Sequence, residues 1–136
     1  MLTKRVKYAL KALVFVHKNQ GNSLLSAKKI AEEEGIPFKF LENILRELKQ
    51  AKILSSARGP KGGYYLVKSA QEISIAEIMR IIDGPIALIP CVSESFYQKC
   101  AECTDEETCR IRKLFAELRE NMLPILSKSL LEFAEY

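Results

Sequence analysis

The chain has 136 residues, 48% of them hydrophobic, enough to bury one core with an arm besides and too apolar for a disordered segment. Its net charge of +4 conceals an asymmetry: residues 1–68 carry fourteen Lys and Arg against five Glu, a net of +9. Residues 69–136 carry seven basic and twelve acidic side chains, a net of −5. A basic half attracts polyanions, so nucleic acid and anionic membranes are the partner classes this sign selects, with a merely solvated basic surface as the plain alternative. No apolar run approaches the ~20 residues that span a bilayer, and Met1-Leu2-Thr3-Lys4-Arg5 leads into an amphipathic pattern without the apolar stretch of a signal peptide. The expected setting is the cytoplasm, where thiols stay reduced and a metal or redox site is favoured over a disulfide frame.

Taken in chain order, Thr3 is placed to cap a first helix through about Asn19, with Val6, Leu10, Leu13 and Val14 at helical spacing and Gly21-Asn22 as its end. Ser26 opens a second helix that stops at Gly35. Pro37 stands at the start of a third, which presents Leu41, Ile44, Leu45 and Leu48 on one face. Two helices joined by Gly-Ile-Pro read as a helix-turn-helix. Ile53–Arg58 and Tyr64–Val67 then read as strands around Gly59-Pro60-Lys61-Gly62-Gly63, whose glycines are expected to supply the φ > 0 conformations of a hairpin turn. This is the pattern of a wing with a basic tip. Ser74-x-x-Glu77 has the form of a capping box and opens a fourth helix through about Ile82, before Asp83-Gly84-Pro85. Thr104-x-x-Glu107 repeats that form, so Cys109 is expected in the first turns of a last, long helix. Its stripe is Ile111, Leu114, Phe115, Leu118, Met122, Ile125 and Leu126, and Pro124 should kink or split it.

A recognition helix reads base edges with its N-terminal residues, and here Phe38, Lys39, Phe40, Glu42, Asn43 and Arg46 are the candidates. Glu accepts from cytosine, Asn pairs with adenine, and Arg pairs with guanine or holds phosphate. Arg58 and Lys61 in the wing are placed for a minor groove or its flanking phosphates. All four cysteines, Cys91, Cys100, Cys103 and Cys109, fall between residues 91 and 109. Soft thiolates select zinc, copper(I) or iron–sulfur clusters. Four of them are compatible with a cluster, a closed structural zinc site, a thiol switch or inert buried thiols. Only one close pair, Cys100-x2-Cys103, is present, where zinc ribbons supply two.

The stretch Ser55-Ser56-Ala57-Arg58-Gly59-Pro60-Lys61-Gly62-Gly63-Tyr64-Tyr65-Leu66 resembles the wing signature of the IscR/NsrR-type regulators, the Rrf-two family of bacterial winged-helix transcription factors. Met1-Leu2-Thr3 before Tyr8-Ala9-Leu10 is similar to that family's opening helix, and Ile75-Ala76-Glu77-Ile78 to the segment before its sensor loop. The resemblance covers essentially the whole chain. It implies a homodimer paired through the long C-terminal helix on pseudo-palindromic double-stranded operators. In several members it also implies an iron–sulfur cluster whose state changes the DNA bound. Cluster-bearing members have three cysteines, the last two separated by five residues. Cys103-x5-Cys109 has that spacing, Cys91 stands where the first ligand belongs, and Cys100 is additional. The family's fourth ligand is a histidine three residues after the last cysteine or an acid on the partner's first helix. Those positions here hold Arg112 and Lys7, and the one histidine, His17, lies late in the first helix. The resemblance leaves Cys100 to complete an all-cysteine site, which both [2Fe–2S] and [4Fe–4S] clusters accept.

The expected protein is mainly α, with a winged helix-turn-helix over 1–84, a cysteine-bearing sensor loop over 85–109 and a dimerisation helix over 104–136. The expected function is DNA-binding transcriptional regulation that senses iron–sulfur, redox or nitrosative status, with zinc as the alternative metal and no membrane partner. The chain has no Ser-His-Asp set, Gly-rich phosphate loop or paired carboxylates, so no enzyme is expected. The rival from another class is a small iron–sulfur electron carrier, against which the wing and the basic half both speak.

Overall fold

The structure is a computed structural model and describes residues 2–21 and 24–136. Met1 and Asn22, both used in the sequence reading, lie outside the described residues. Among the described residues there are six α-helices and one two-stranded sheet. Helix α1 spans Lys4–Asn19, with the Thr3 hydroxyl accepting the Val6 N–H at 3.3 Å. It turns Val6, Ala9, Ala12, Leu13 and Val16, all fully buried, toward the core. Helix α2 spans Ala27–Glu34; Ser26 caps it and Gly35, at φ +62°, ends it in the left-handed conformation that glycine adopts freely. Helix α3, Phe38–Gln50, follows Pro37, whose ring offers no acceptor and leaves α3 without a side-chain cap. Leu41, Ile44, Leu45 and Leu48 pack beneath it as the spacing predicts.

Strands β1 (Leu54–Ala57) and β2 (Gly63–Leu66) pair antiparallel, Leu54 opposite Leu66 and Ala57 opposite Gly63. Strand β1 is one residue shorter at each end than the sequence pattern, and β2 is shifted by one residue toward the turn. The expected role of the glycines holds only for Gly59, at φ +113°. Gly62 and Gly63 are required by space. A Cβ on Gly62 would meet the Ala57 carbonyl oxygen at 2.3 Å, and one on Gly63 would meet the Leu25 backbone at 2.4 Å. The close approach at Gly63 exists because Leu25 forms a single bridge to Tyr64, whose N–H donates to the Leu25 carbonyl at 2.8 Å.

Helix α4 (Ile75–Asp83) begins at Ser74, which accepts the Glu77 N–H at 3.1 Å. Only half of the expected capping box forms there, because Lys68 engages the Glu77 carboxylate at 3.0 Å. Helix α5 spans Arg110–Leu126 and helix α6 spans Leu130–Ala134. Two sequence expectations are corrected here. Thr104 does not cap a helix: the Asp105 carboxylate takes the Glu107 N–H at 3.0 Å and closes a local turn instead. Cys109 is the N-cap of α5, not a residue within it. Pro124, which has no N–H to donate, stands two residues before the end of α5, so the chain splits into two helices. The return helix α6 is stitched to the segment before α4, with the Leu130 N–H donating to Ile73 O at 2.7 Å and the Ile75 N–H to Lys128 O at 3.1 Å. Leu130 is fully buried in the same core as α1, α3 and α4. A complete capping box, from Ser129 and Glu132, opens α6.

Candidate nucleic-acid interface and cysteine loop

Helix α3 offers its outward arc to solvent. At 100° per residue Lys39, Asn43 and Arg46 lie opposite Leu41, Ile44, Leu45 and Leu48, with Glu42 at the edge of that arc. Phe38 and Phe40 flank it on either side, 46% and 53% exposed. Such large apolar side chains left in water at the first turn of a polar helix face mark a surface built to be covered. The Phe40 ring meets Tyr8 edge-on, with centroids 6.4 Å apart, which fixes the start of α3 against α1. At the other end Arg5 bridges Glu47 of α3 and the Ile82 carbonyl of α4. Lys49 donates to Ser56 at 2.7 Å and holds β1 to α3, so helix and wing are one unit. Arg58 and Lys61 are exposed at the wing tip with no carboxylate partner among the described residues. Tyr64 packs against the core as an anchor of the hairpin, while Tyr65 stands outward.

The cysteines divide by environment. Cys91 sits in a short 3-10 turn, Pro90–Val92, and is buried beside Val92 and Ser93. Cys100 is exposed, and Cys103 and Cys109 are half-buried. A turn in which the Cys103 N–H donates to Cys100 O at 3.1 Å sets that close pair, and the Cys109 sulfur accepts the Arg112 N–H at 3.4 Å as the cap of α5. Desolvation, then the neighbouring Cys109 thiol, pushes the Cys103 thiol above its ordinary value. Around them Tyr97 donates to Glu106, Glu106 faces Arg112, and Arg119 of α5 pairs with Glu94. The Tyr97 hydroxyl is raised by that bond to Glu106, and the Glu94 carboxyl is held low by its bond to Arg119. Four thiols are the right donor chemistry for a soft metal group. Their arrangement is not a ready cradle: no three His, Cys, Asp or Glu side chains among the described residues are grouped to hold one ion. Cys103 lies beside Cys109, with Cys100 near by, and Cys91 is held in a separate 3-10 turn. His17, the one histidine, has a buried Nδ1 without a partner and takes no part in this loop.

Helix α5 leaves Ile111, Leu114, Leu118 and Ile125 of its apolar stripe exposed, while Phe115, Met122 and Leu126 are half-buried. No residue of α5 is buried, and Ile111, Leu114 and Ile125 are each more than 60% exposed. Near its C-terminal end α5 borders an apolar cavity of about 630 Å³ lined by Leu10, Met79, Leu88, Met122 and Phe133 among others. Sequence reasoning missed one further surface: Lys4, Lys7, Lys11 and Lys18 form an exposed line along α1. Its signal, lysine at i, i+3, i+7 and i+14, was present in the sequence.

A solvent-facing helix that follows a glycine-ended partner, joined to a hairpin with a basic tip, defines a winged helix-turn-helix DNA-binding protein. The comparisons agree over nearly the whole chain. The profile of Rrf2, described as an iron-dependent transcriptional regulator, matches residues 2–133, and the chain belongs to that family, whose members are transcriptional regulators and not enzymes. An Rrf2-like HTH-type transcriptional regulator of Rhodobacter capsulatus is 44% identical over 135 residues, covering 97% of this chain and 90% of that protein. The HTH-type transcriptional regulator IscR of Klebsiella pneumoniae is 29% identical and covers 93% of this chain and 74% of its own length. Among solved structures, the global cysteine regulator CymR of B. subtilis superposes with a TM-score of 0.82 at 25% identity, covering 100% of this chain and 97% of that one. An oxidized form of CymR from Staphylococcus aureus gives 0.75 at 28% identity, covering 100% of this chain and 97% of its own. No helix among the described residues is long and apolar enough to cross a membrane.

Proposed function

We propose that this protein is a cytoplasmic, homodimeric regulator that binds a pseudo-palindromic duplex and reports iron–sulfur, redox or nitrosative status through its cysteine loop. The observation that carries the DNA reading is the polar, unpartnered arc of α3 tied by Lys49 to the wing. In this reading Glu42, Asn43 and Arg46 meet base edges, Phe38 and Phe40 flank them, and Lys39, Arg58 and Lys61 hold backbone or minor groove. The exposed stripe of α5 supports dimerisation. Isologous pairing would cover Ile111, Leu114 and Leu118 and set two reading heads about one DNA turn apart. The domain division is a winged head over 1–84, a sensor loop over 85–109 and a dimer arm from 104 onward, with Leu130 returned to the head.

For the sensor, the donor set Cys91, Cys100, Cys103 and Cys109 suits a [2Fe–2S] or [4Fe–4S] cluster, with zinc as the alternative. Holding either requires the loop to draw the four sulfurs together. The location is apt, since Cys109 caps α5 and any change at its sulfur acts on the first turn of the dimer arm. Anaerobic purification followed by an absorption spectrum and iron, sulfide and zinc counts tests this assignment. Cluster absorbance with matching iron and sulfide is expected, lost in Cys100→Ser. A colourless protein without metal would remove the cluster and zinc readings and leave DNA binding intact. A thiol switch is the second reading, supported by the exposed Cys100 and by a relative solved in an oxidized form, while desolvation leaves Cys103 less of the reactive thiolate. Thiol counts before and after peroxide, with the Cys103→Ser variant as control, separate it from the first.

A further inference from the structure

Helix α4 ends where the cysteine loop begins, and its last turn is fastened to the head by two side chains at the start of α1. The Thr3 hydroxyl donates to the Asp83 carboxylate at 2.6 Å. Arg5 donates through one guanidinium nitrogen to the Ile82 carbonyl at 3.1 Å, and through the other to the Glu47 carboxylate of α3. Ile82 is the penultimate residue of α4, so Arg5 satisfies one of the carbonyls that a helix end leaves unpaired. One side chain thereby ties α1, α4 and α3 together.

A half-exposed ion pair ordinarily contributes little, and two features set this one apart. The first is where the acid stands. Glu47 lies in the last turn of α3, where the carbonyl end of a helix disfavours negative charge, so its place is explained by Arg5 and not by its own helix. The planar guanidinium fork holds its two acceptors in fixed relative positions, which a lysine ammonium does not. The second feature is what adjoins each end. Beyond Ile82 the chain passes through Asp83-Gly84-Pro85 into the loop, and Glu94, three residues after Cys91, bonds Arg119 of α5 and feels the charge of Arg80 in α4. Within α3, Glu47 stands one turn after Asn43 and next to Arg46, two of the residues offered to bases.

We propose that Arg5 is the positioning residue that couples the cysteine loop to DNA binding, carrying a shift of the last turn of α4 to Glu47 and so to α3. This rests on the DNA-binding and sensor readings above and names the side chain through which the two communicate. Drawing the four sulfurs together moves the loop, and the loop pulls on the turn that Thr3 and Arg5 hold. A change of loop state biases DNA affinity only through interactions that differ between two placements of α3. The Arg5 bonds supply that difference within one subunit.

The test uses the full chain and a duplex that the wild type selects from a random-sequence pool. Its Kd is measured at fixed salt for anaerobically purified protein before and after a chelator strips metal, and for thiol-reduced protein before and after hydrogen peroxide. The pair of states with the larger Kd ratio in wild type, expected to be about five-fold or more, is then used for the variants. Arg5→Gln and Glu47→Ala should each bring that ratio below about two-fold, and the double variant should lose no more than either alone. Lys68→Gln, which removes the Lys68–Glu77 pair of the same kind, should keep the wild-type ratio. Circular dichroism melting checks that each variant is folded. Arg5→Lys, which keeps the charge without the fork, replaces any that is not, again with a ratio below that of wild type. A merely structural Arg5 would weaken binding in both states alike; the unchanged ratio would overturn the inference and spare the sensor. Additive losses from the two single variants would show them acting apart and overturn it as well. Wild type with one Kd in every state would overturn the sensor reading, and wild type that binds no duplex the DNA reading, each taking the inference with it.

Discussion

Replacing Gly63 with alanine separates two roles that a glycine plays in a hairpin. Where the backbone is unstrained, Gly→Ala stabilises by about 0.4–1 kcal/mol through the entropy of the unfolded chain, and Gly63 is not among the positive-φ glycines. A methyl group there would nevertheless lie 2.4–2.6 Å from three backbone atoms of Leu25. Backbone cannot swing aside as a side chain tip does, so the segment at Leu25 must separate from β2. That movement lengthens or breaks the 2.8 Å bond from Tyr64 N–H to Leu25 O and disturbs the fully packed Leu25 side chain beneath it. The lost hydrogen bond costs about 1 kcal/mol and the overpacking about 1–3. After the entropic gain, Gly63→Ala should destabilise by about 2–3 kcal/mol, a fall in Tm of roughly 8–12 °C for a chain of this size. Thermal unfolding followed by circular dichroism at fixed protein concentration measures it. A variant as stable as wild type, or more so, would show that the segment at Leu25 does not sit against β2.

Lys52 is the one non-glycine residue of positive φ among those described, at φ 61°, where it ends α3 with Ile53 N–H returning to Leu48 O. Lys52→Gly should therefore stabilise by about 0.5–1 kcal/mol, read as a higher urea midpoint at unchanged m value. Leu130→Ala should cost about 3 kcal/mol by opening a cavity in the head; an unchanged melting temperature would mean that α6 is not part of that core. Glu132 is held below its ordinary value of 4.5 by the Ser129 N–H first and the Ser129 hydroxyl second. A carboxyl lowered by folding stabilises above its unfolded value, and that contribution disappears as pH falls through the folded one. Melting temperature should thus fall more steeply below about pH 4.5 in wild type than in Glu132→Gln, and parallel profiles would count against the capping box.

The head was readable because its signals are local. Thr3, Ser26, Gly35, Pro37 and Ser74 each act within one helical turn, and the structure has them at the termini they predicted. Failures came where a residue answers to something distant or to a rival neighbour. Gly63 is small because of Leu25, a residue far off in sequence, and no turn rule contains that fact. Thr104 lost its helix to Asp105, an equally good partner one position along. Glu77 could not close its box with Lys68 beside it. The candidate interface was legible as residue types on a helical arc. What periodicity lacks is the way elements meet, as where Tyr8 of α1 packs edge-on against Phe40 of α3. In the cysteine tract, spacing along the chain says little about convergence in space, and Cys91 lies fixed in a turn of its own.

The return of α6 has a consequence for the order in which the protein is made. The core position filled by Leu130 lies among residues of α1, α3 and α4, all synthesised before the cysteine loop and α5. During vectorial synthesis the nascent head can therefore gather its helices and hairpin but not fill that last position until the sensor and the arm have followed it. A ribosome that stops early releases a head with a hole in it, and the finished head always arrives with its sensor attached.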